Sequence, residues 1–118
     1  MKVKRGDIVL LSMPFAQGGG GKIRPAVVVQ NDRNNARLTN TIVAAITRTV
    51  SRADLPTQLL IDPATPAGKS SGLLAVSAIT CENLFTVGQN LIHRRIGRLS
   101  SDVMQKVSDC LRASLEIG

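Results

Sequence analysis

The chain has 118 residues, 43% hydrophobic and 19% charged, which is enough for one buried core and too apolar for a disordered segment. An excess of 15 Lys+Arg over 8 Asp+Glu sets the net charge at +7 and favours polyanionic partners: nucleic acid, an acidic protein, or an anionic membrane face. Membrane ranks last, since no apolar run reaches a spanning length and the opening MKVKRGDIVLL passes from charge to strand without a small-residue cleavage site.

Taken in order, Lys2 to Arg5 form a basic entry, and Gly6-Asp7 is a turn into the strand IVLLSM. That strand is almost wholly apolar, so it is expected inside a sheet or lining a barrel. Pro14 ends it, and Phe15 to Gly21 make a loop with a run of consecutive glycines. Such a run loses much entropy on ordering, so it either packs loosely or orders over a ligand. It is not a P-loop, because Gly21-Lys22 leads into Ile-Arg-Pro and a strand instead of GK[ST] and a helix.

Two branched, apolar runs follow, AVVVQ and TIVAAIT, separated by turn chemistry at Asn31-Asp32 and one expected helical turn in NDRNNARL. Laid side by side, the start of the first strand and the end of the second fall at one sheet edge. Arg24, held extended by Pro25, would then meet Thr47 beneath the glycine loop. The plain alternative is a solvent-facing arginine and a β-branched strand end.

Beyond Thr47 lie a basic loop, RTVSRADLPT, and the short strand QLLID. PATPAGKSSG reads as a surface connection, and LLAVSAITCENL as one or two strands bent near Ser77. LIHRRIGRL alternates apolar and basic residues and reads as a half-exposed strand, with His93 half-buried in it. The clearest helix comes last. Ser100-Ser101 can cap it, Asp102 suits its first turn, and Val103, Met104, Val107, Cys110, Leu111 and Leu115 form one apolar stripe, with Lys106 and Arg112 outward. Many short strands followed by a terminal helix indicate an α+β fold.

Little supports metal or triad chemistry. His93 is the only histidine, and there is no HxxxH, CxxC or GxSxG. Cys81 and Cys110 read as small core hydrophobes of a reducing, cytoplasmic protein. Phe15 and Phe85 are the only aromatics, too few for a broad base-stacking platform. Arg24 and Thr47 remain. A guanidinium fork binds phosphate bidentately and neutralises charge on a phosphorane, and a threonine hydroxyl donates to a phosphate oxygen.

The stretches RGDIVLL, KIRPAVVVQND, TIVAAIT and GRLSSDVMQKV, in this order and spacing, resemble the MazF/PemK family of toxin endoribonucleases. The resemblance runs from Lys4 to about Leu115, and RPAVVVQND and IVAAIT are its most specific parts. It implies a compact SH3-like β-barrel of the MazF/CcdB type with short helices and a C-terminal amphipathic helix. It further implies a single domain over residues 1–118, assembled as a homodimer. Family members cut single-stranded RNA at short motifs without a metal or other cofactor. Attack by the 2'-hydroxyl leaves a 2',3'-cyclic phosphate and a free 5'-hydroxyl, and a MazE-like antitoxin with an acidic tail holds the toxin inactive. On this resemblance Arg24 and Thr47 match the two catalytic positions. Phe15, Gln17, Gly20, Gly21, Lys22, Pro25, Arg48 and Ser77 are the candidates for RNA contact, whereas Asn31 and Asp32 are expected to act structurally. The gyrase-poisoning toxins of the same fold supply the alternative reading, a non-catalytic inhibitor of a protein target. One departure stands out. Relatives often carry an acid, followed by glutamine or similar, near Ser77-Ala78, and a later Arg or Lys where Thr80 stands. The general base is therefore open.

Overall fold

The computed structural model describes residues 2–12 and 22–118. They form β1 (Asp7–Ser12), β2 (Ile23–Val28), α1 (Asp32–Arg37), β3 (Asn40–Thr47), β4 (Gln58–Ile61), α2 (Pro66–Lys69), β5 (Ser77–Gly88), a 3-10 turn at Gln89–Leu91, β6 (Ile92–Arg98) and α3 (Ser101–Leu115). The strands make one antiparallel sheet in the order β4-β5-β3-β2-β1-β6, so the apolar β1, β2 and β3 lie inside it.

The middle stretches of those three strands are apolar because both faces are covered there. Ile8, Val27, Ala44 and Ile46 pack on one side with Ile79, Cys81 and the α3 stripe of Val103, Met104, Val107 and Cys110. Their neighbours Val9, Leu11, Ala26, Val28, Val43 and Ala45 form a second cluster on the other side, with Val3 and Ile92. The Ser100 hydroxyl caps α3 by accepting from the Val103 amide at 3.3 Å. Leu115 lies at the frayed end of the stripe and is exposed.

The α+β class is as expected, but the sheet does not close into a barrel: β4 and β6 are its edges. Chain from the β4–β5 connection sits against β6 instead. The Arg98 amide donates to the Ser70 carbonyl at 2.9 Å, and the Ser70 hydroxyl donates to the Arg98 carbonyl at 2.6 Å. A Cβ at Gly72 (φ +75°) would overlap the Ile96 carbonyl, and one at Gly97 would overlap the Ser70–Ser71 backbone. The stretch expected to be a plain surface connection is thus a strap in backbone contact with β6. It contains α2, whose first turn is capped by the Thr65 hydroxyl accepting from the Gly68 amide at 3.2 Å.

Two polar clusters tie the ends of the sheet. Asp7 is buried and accepts from the Lys4 amide at 2.8 Å and from Arg98 Nε at 2.9 Å, with Arg95 Nη1 at 3.6 Å. Around α1, Asn31 caps the helix by accepting from the Asn34 amide, and Asp32 accepts from the Arg5 amide at 2.6 Å. These are the structural roles expected of that pair. Buried Asn35 accepts from Gln30 Nε2 at 2.9 Å and Thr41 Oγ1 at 2.6 Å, and donates to the Gln30 carbonyl at 3.0 Å. Asn35→Ala removes the partner of the Thr41 hydroxyl and of the Gln30 carbonyl, while Gln30 Nε2 keeps the Asn40 carbonyl at 3.0 Å. It is expected to lower the unfolding free energy in urea by about 2–3 kcal/mol, in line with stranded buried polar groups.

Candidate functional site

The β2–β3 register pairs Ala26 with Ala45, Val27 with Ala44 and Val28 with Val43. The ladder ends two residues short of Arg24 on β2 and of Thr47 on β3, and the period of two puts both on the face of Ala26 and Ala45. Arg24 is exposed and Thr47 half-buried, at the sheet rim where β3 ends. The Thr47 hydroxyl accepts from the Thr49 amide at 3.1 Å, a local turn that ends the strand. With that lone pair engaged, the hydroxyl hydrogen is left to donate outward.

Arg24 and Thr47 line two cavities that share them as a wall. The first, about 570 Å³, gathers Pro25, Arg48 and Ser77 with Arg94 and Arg95 of β6 and Leu74 just after the strap. The second, about 610 Å³, gathers Lys22, Arg52, Gln58, Thr80, Glu82 and Asn83. Arg24 and Thr47 therefore share one wall, with Pro25, Arg48 and Ser77 on the first cavity and Lys22 on the second. Phe15, Gln17, Gly20 and Gly21 lie outside the described residues. Ser77 is buried, and its hydroxyl donates to the Ala75 carbonyl at 2.9 Å.

Sequence reasoning missed four charged residues here: Arg52, Glu82, Arg94 and Arg95. Arg94 and Arg95 face the first cavity, and their signal, the basic positions of LIHRRIGRL, is the same as that of any solvated strand face. Glu82 stands five positions after Ser77 and is followed by an amide, Asn83. It reaches the second cavity through a bulge. Opposite β3, β5 jumps from Leu84↔Ala44 to Thr80↔Ala45, so Cys81 to Asn83 leave that ladder. The bend expected near Ser77 is this bulge, whereas Ser77 begins the strand. His93 is exposed and not half-buried, because the β1–β6 register also slips there, from Leu10↔Arg94 to Leu11↔Ile92. Among the described residues, no group of three or more His, Cys, Asp or Glu is placed to hold a metal ion.

The cysteines are core residues, as expected. Burial pushes the Cys81 thiol up to about 12 from an ordinary value near 9, with Cys110 and Glu82 adding to it. Burial also raises Cys110, with Asp109 contributing. A raised folded-state value means full stability below pH ~9, lost as the pH climbs towards 12, because the unfolded thiols ionise first. The thermal midpoint should therefore fall between pH 9 and 11. The fall should be smaller in Cys81→Val, as scanning calorimetry would show.

Three comparisons bear on identity. The family model of the PemK-like, MazF-like toxins of type II toxin–antitoxin systems matches residues 4–115. Endoribonuclease EndoA of Bacillus subtilis (strain 168) is 35% identical over 118 residues, covering 99% of this chain and 97% of its own length. In structure, the chain is similar to an endoribonuclease in complex with its cognate antitoxin from a mycobacterial species, with a TM-score of 0.78, 18% identity and coverage of 98% and 97%. It is also similar to MazE-MazF from Deinococcus radiodurans, with a TM-score of 0.74, 19% identity and full coverage of both chains. The fold is that of the MazF structures. By its sequence along nearly its whole length, the chain belongs to the PemK-like, MazF-like toxins of type II toxin–antitoxin systems.

Proposed function

We propose that this chain is the toxin endoribonuclease of a toxin–antitoxin module, cutting single-stranded RNA by internal transesterification without a metal. The observation that carries the reading is the shared wall of Arg24 and Thr47 between two polar cavities, in a family whose relative EndoA is an endoribonuclease. A strand crossing that wall sets its scissile phosphate against the guanidinium, with one flanking nucleotide in each cavity. Arg24 forks onto the non-bridging oxygens and neutralises the charge that grows there. Thr47 donates its hydroxyl hydrogen to the same phosphate. The ribose 2'-oxygen attacks in line, leaving a 2',3'-cyclic phosphate and a 5'-hydroxyl.

Lys22, Pro25, Arg48 and Ser77, with Phe15, Gln17, Gly20 and Gly21 of the glycine loop, contact the RNA on this reading, and residues 1–118 act as one cytoplasmic domain within a homodimer. The +7 charge draws in RNA and, in competition with it, the acidic tail of a MazE-like antitoxin. Both affinities should fall steeply with salt. No helix among the described residues is long and apolar enough to cross a membrane. Nothing in the comparisons favours the gyrase-directed alternative.

The test is incubation with a mixed-sequence transcript in excess EDTA, followed by end mapping. Cyclic phosphate and 5'-hydroxyl ends are expected. Loss of activity in the chelator, or 5'-phosphate ends, contradicts the reading.

A further inference from the structure

Glu82 is the one carboxylate or imidazole lining either cavity among the described residues. Residues 13–21, between β1 and β2 in the sequence, contain no Asp, Glu or His. Its partner is unusual. Gln58 of β4 is 8% exposed, and its Nε2 donates to Glu82 Oε2 at 2.6 Å, while its Oε1 is buried without a hydrogen-bond partner among the described residues. A stranded buried acceptor destabilises a fold. The same site filled by methionine would keep the volume without that burden, so stability does not explain the glutamine. Nor can the amide turn over, since that would point its oxygen at the carboxylate.

The surrounding backbone serves the same end. The bulge lifts Glu82 out of the β3–β5 ladder, and the Cys81 amide is taken instead by the Thr57 carbonyl at 2.9 Å. Thr80, directly opposite Gln58 across β4–β5, accepts from Asn83 Nδ2 at 3.3 Å and donates to the Ala45 carbonyl at 2.8 Å. The bulge is thereby pinned on both sides of Glu82.

We propose that Gln58 is a positioning residue that holds the Glu82 carboxylate beside Arg24 and Thr47, where Glu82 acts as the general base of RNA cleavage. The proposal rests on the endoribonuclease reading. In the step, the 2'-hydroxyl proton passes to Glu82 as the O2'–P bond forms and the P–O5' bond breaks. The 5'-oxygen takes a proton from water, and Glu82 returns its own to the hydroxide left behind, so protons balance and nothing is oxidised. The charged and titratable groups around Glu82 are Lys22 just before β2, Arg24 in β2, Arg52 in the β3–β4 loop, and the Cys81 and Cys110 thiols behind it.

The experiment measures kcat, KM and the pH–rate profile on an oligonucleotide carrying one mapped cut site, in EDTA. Glu82→Gln should lower kcat by about 10²–10⁴-fold and abolish the acid limb of the profile, with KM changed by less than about threefold. Added formate should restore part of the activity of Glu82→Ala. Gln58→Met should lower kcat by roughly tenfold or more through a misplaced base. Its thermal midpoint should be unchanged or raised, whereas a structural role would lower the midpoint and spare kcat. Wild-type kcat in Glu82→Gln overturns the proposal, as does an altered cut motif with kcat preserved, which makes Glu82 a base-reading residue. If the unmutated protein cuts no RNA, the endoribonuclease reading itself falls, a result separable from failure of the two variants alone.

Discussion

Arg24→Ala is expected to lower kcat on a cleavable RNA by about 10²–10³-fold, or roughly 2.7–4 kcal/mol of transition-state stabilisation, the scale for losing one preorganised oxyanion donor. The guanidinium is exposed at the rim of the sheet, so calorimetry should find a thermal midpoint close to that of the unmutated chain. KM should rise less than kcat falls, because charge on the phosphate grows mainly in the transition state. Arg24→Lys keeps the charge but loses the planar fork, so it should recover only part of the activity. Unchanged kcat in Arg24→Ala would remove the chemical basis of the site.

Gly72→Ala acts on the scaffold of the same site. Gly72 has φ +75°, and a Cβ there would meet the Ile96 carbonyl. An L-residue in that region costs about 1–2 kcal/mol before any overlap. Relieving the overlap requires the strap to lift from β6, exposing Leu73 and parting the Ser70–Arg98 hydrogen bonds. The combined loss should be about 3–4 kcal/mol, comparable to other strained backbone positions. Urea titration would measure it. Gly72 and the residues just after the strap, Leu73, Leu74 and Ala75, line the first cavity, so RNA affinity should fall together with stability. A stable Gly72→Ala would mean that the strap is not seated on β6.

How far the sequence discloses this arrangement depends on which physical signal each residue carries. AVVVQ and TIVAAIT are legible as strands because both faces are buried, and no surface helix needs such uniformly branched, apolar residues. Their antiparallel pairing then makes Arg24 and Thr47 neighbours by counting alone. The final helix is legible from its apolar stripe and the Ser100 cap. The strap is not, because Pro-, Gly- and Ser-rich chain looks alike whether it hangs in solvent or lies on β6. Only φ at Gly72 and the closeness at Gly97 separate the two. An open sheet in place of the expected barrel has the same origin.

Glu82 was hidden for a different reason. Strand period places a residue on a face only while the ladder is regular, and three residues leave the β3–β5 ladder at Cys81 to Asn83. Counting along a regular strand from Ser77 therefore does not bring Glu82 to the cavity. Arg94 and Arg95 were legible as strand residues, but their place beside Arg24 depends on β6 pairing with β1 at the far end of the chain.

The central claim is that the substrate's own 2'-oxygen attacks the phosphate held at Arg24 and Thr47. One oligonucleotide measures it directly. A substrate with a single 2'-deoxy nucleotide immediately 5' of the mapped cut, in chelator, should stay intact at that position while the all-ribose strand is cleaved. Cleavage of the deoxy position at an undiminished rate would mean that water or another nucleophile attacks, and the account would be wrong.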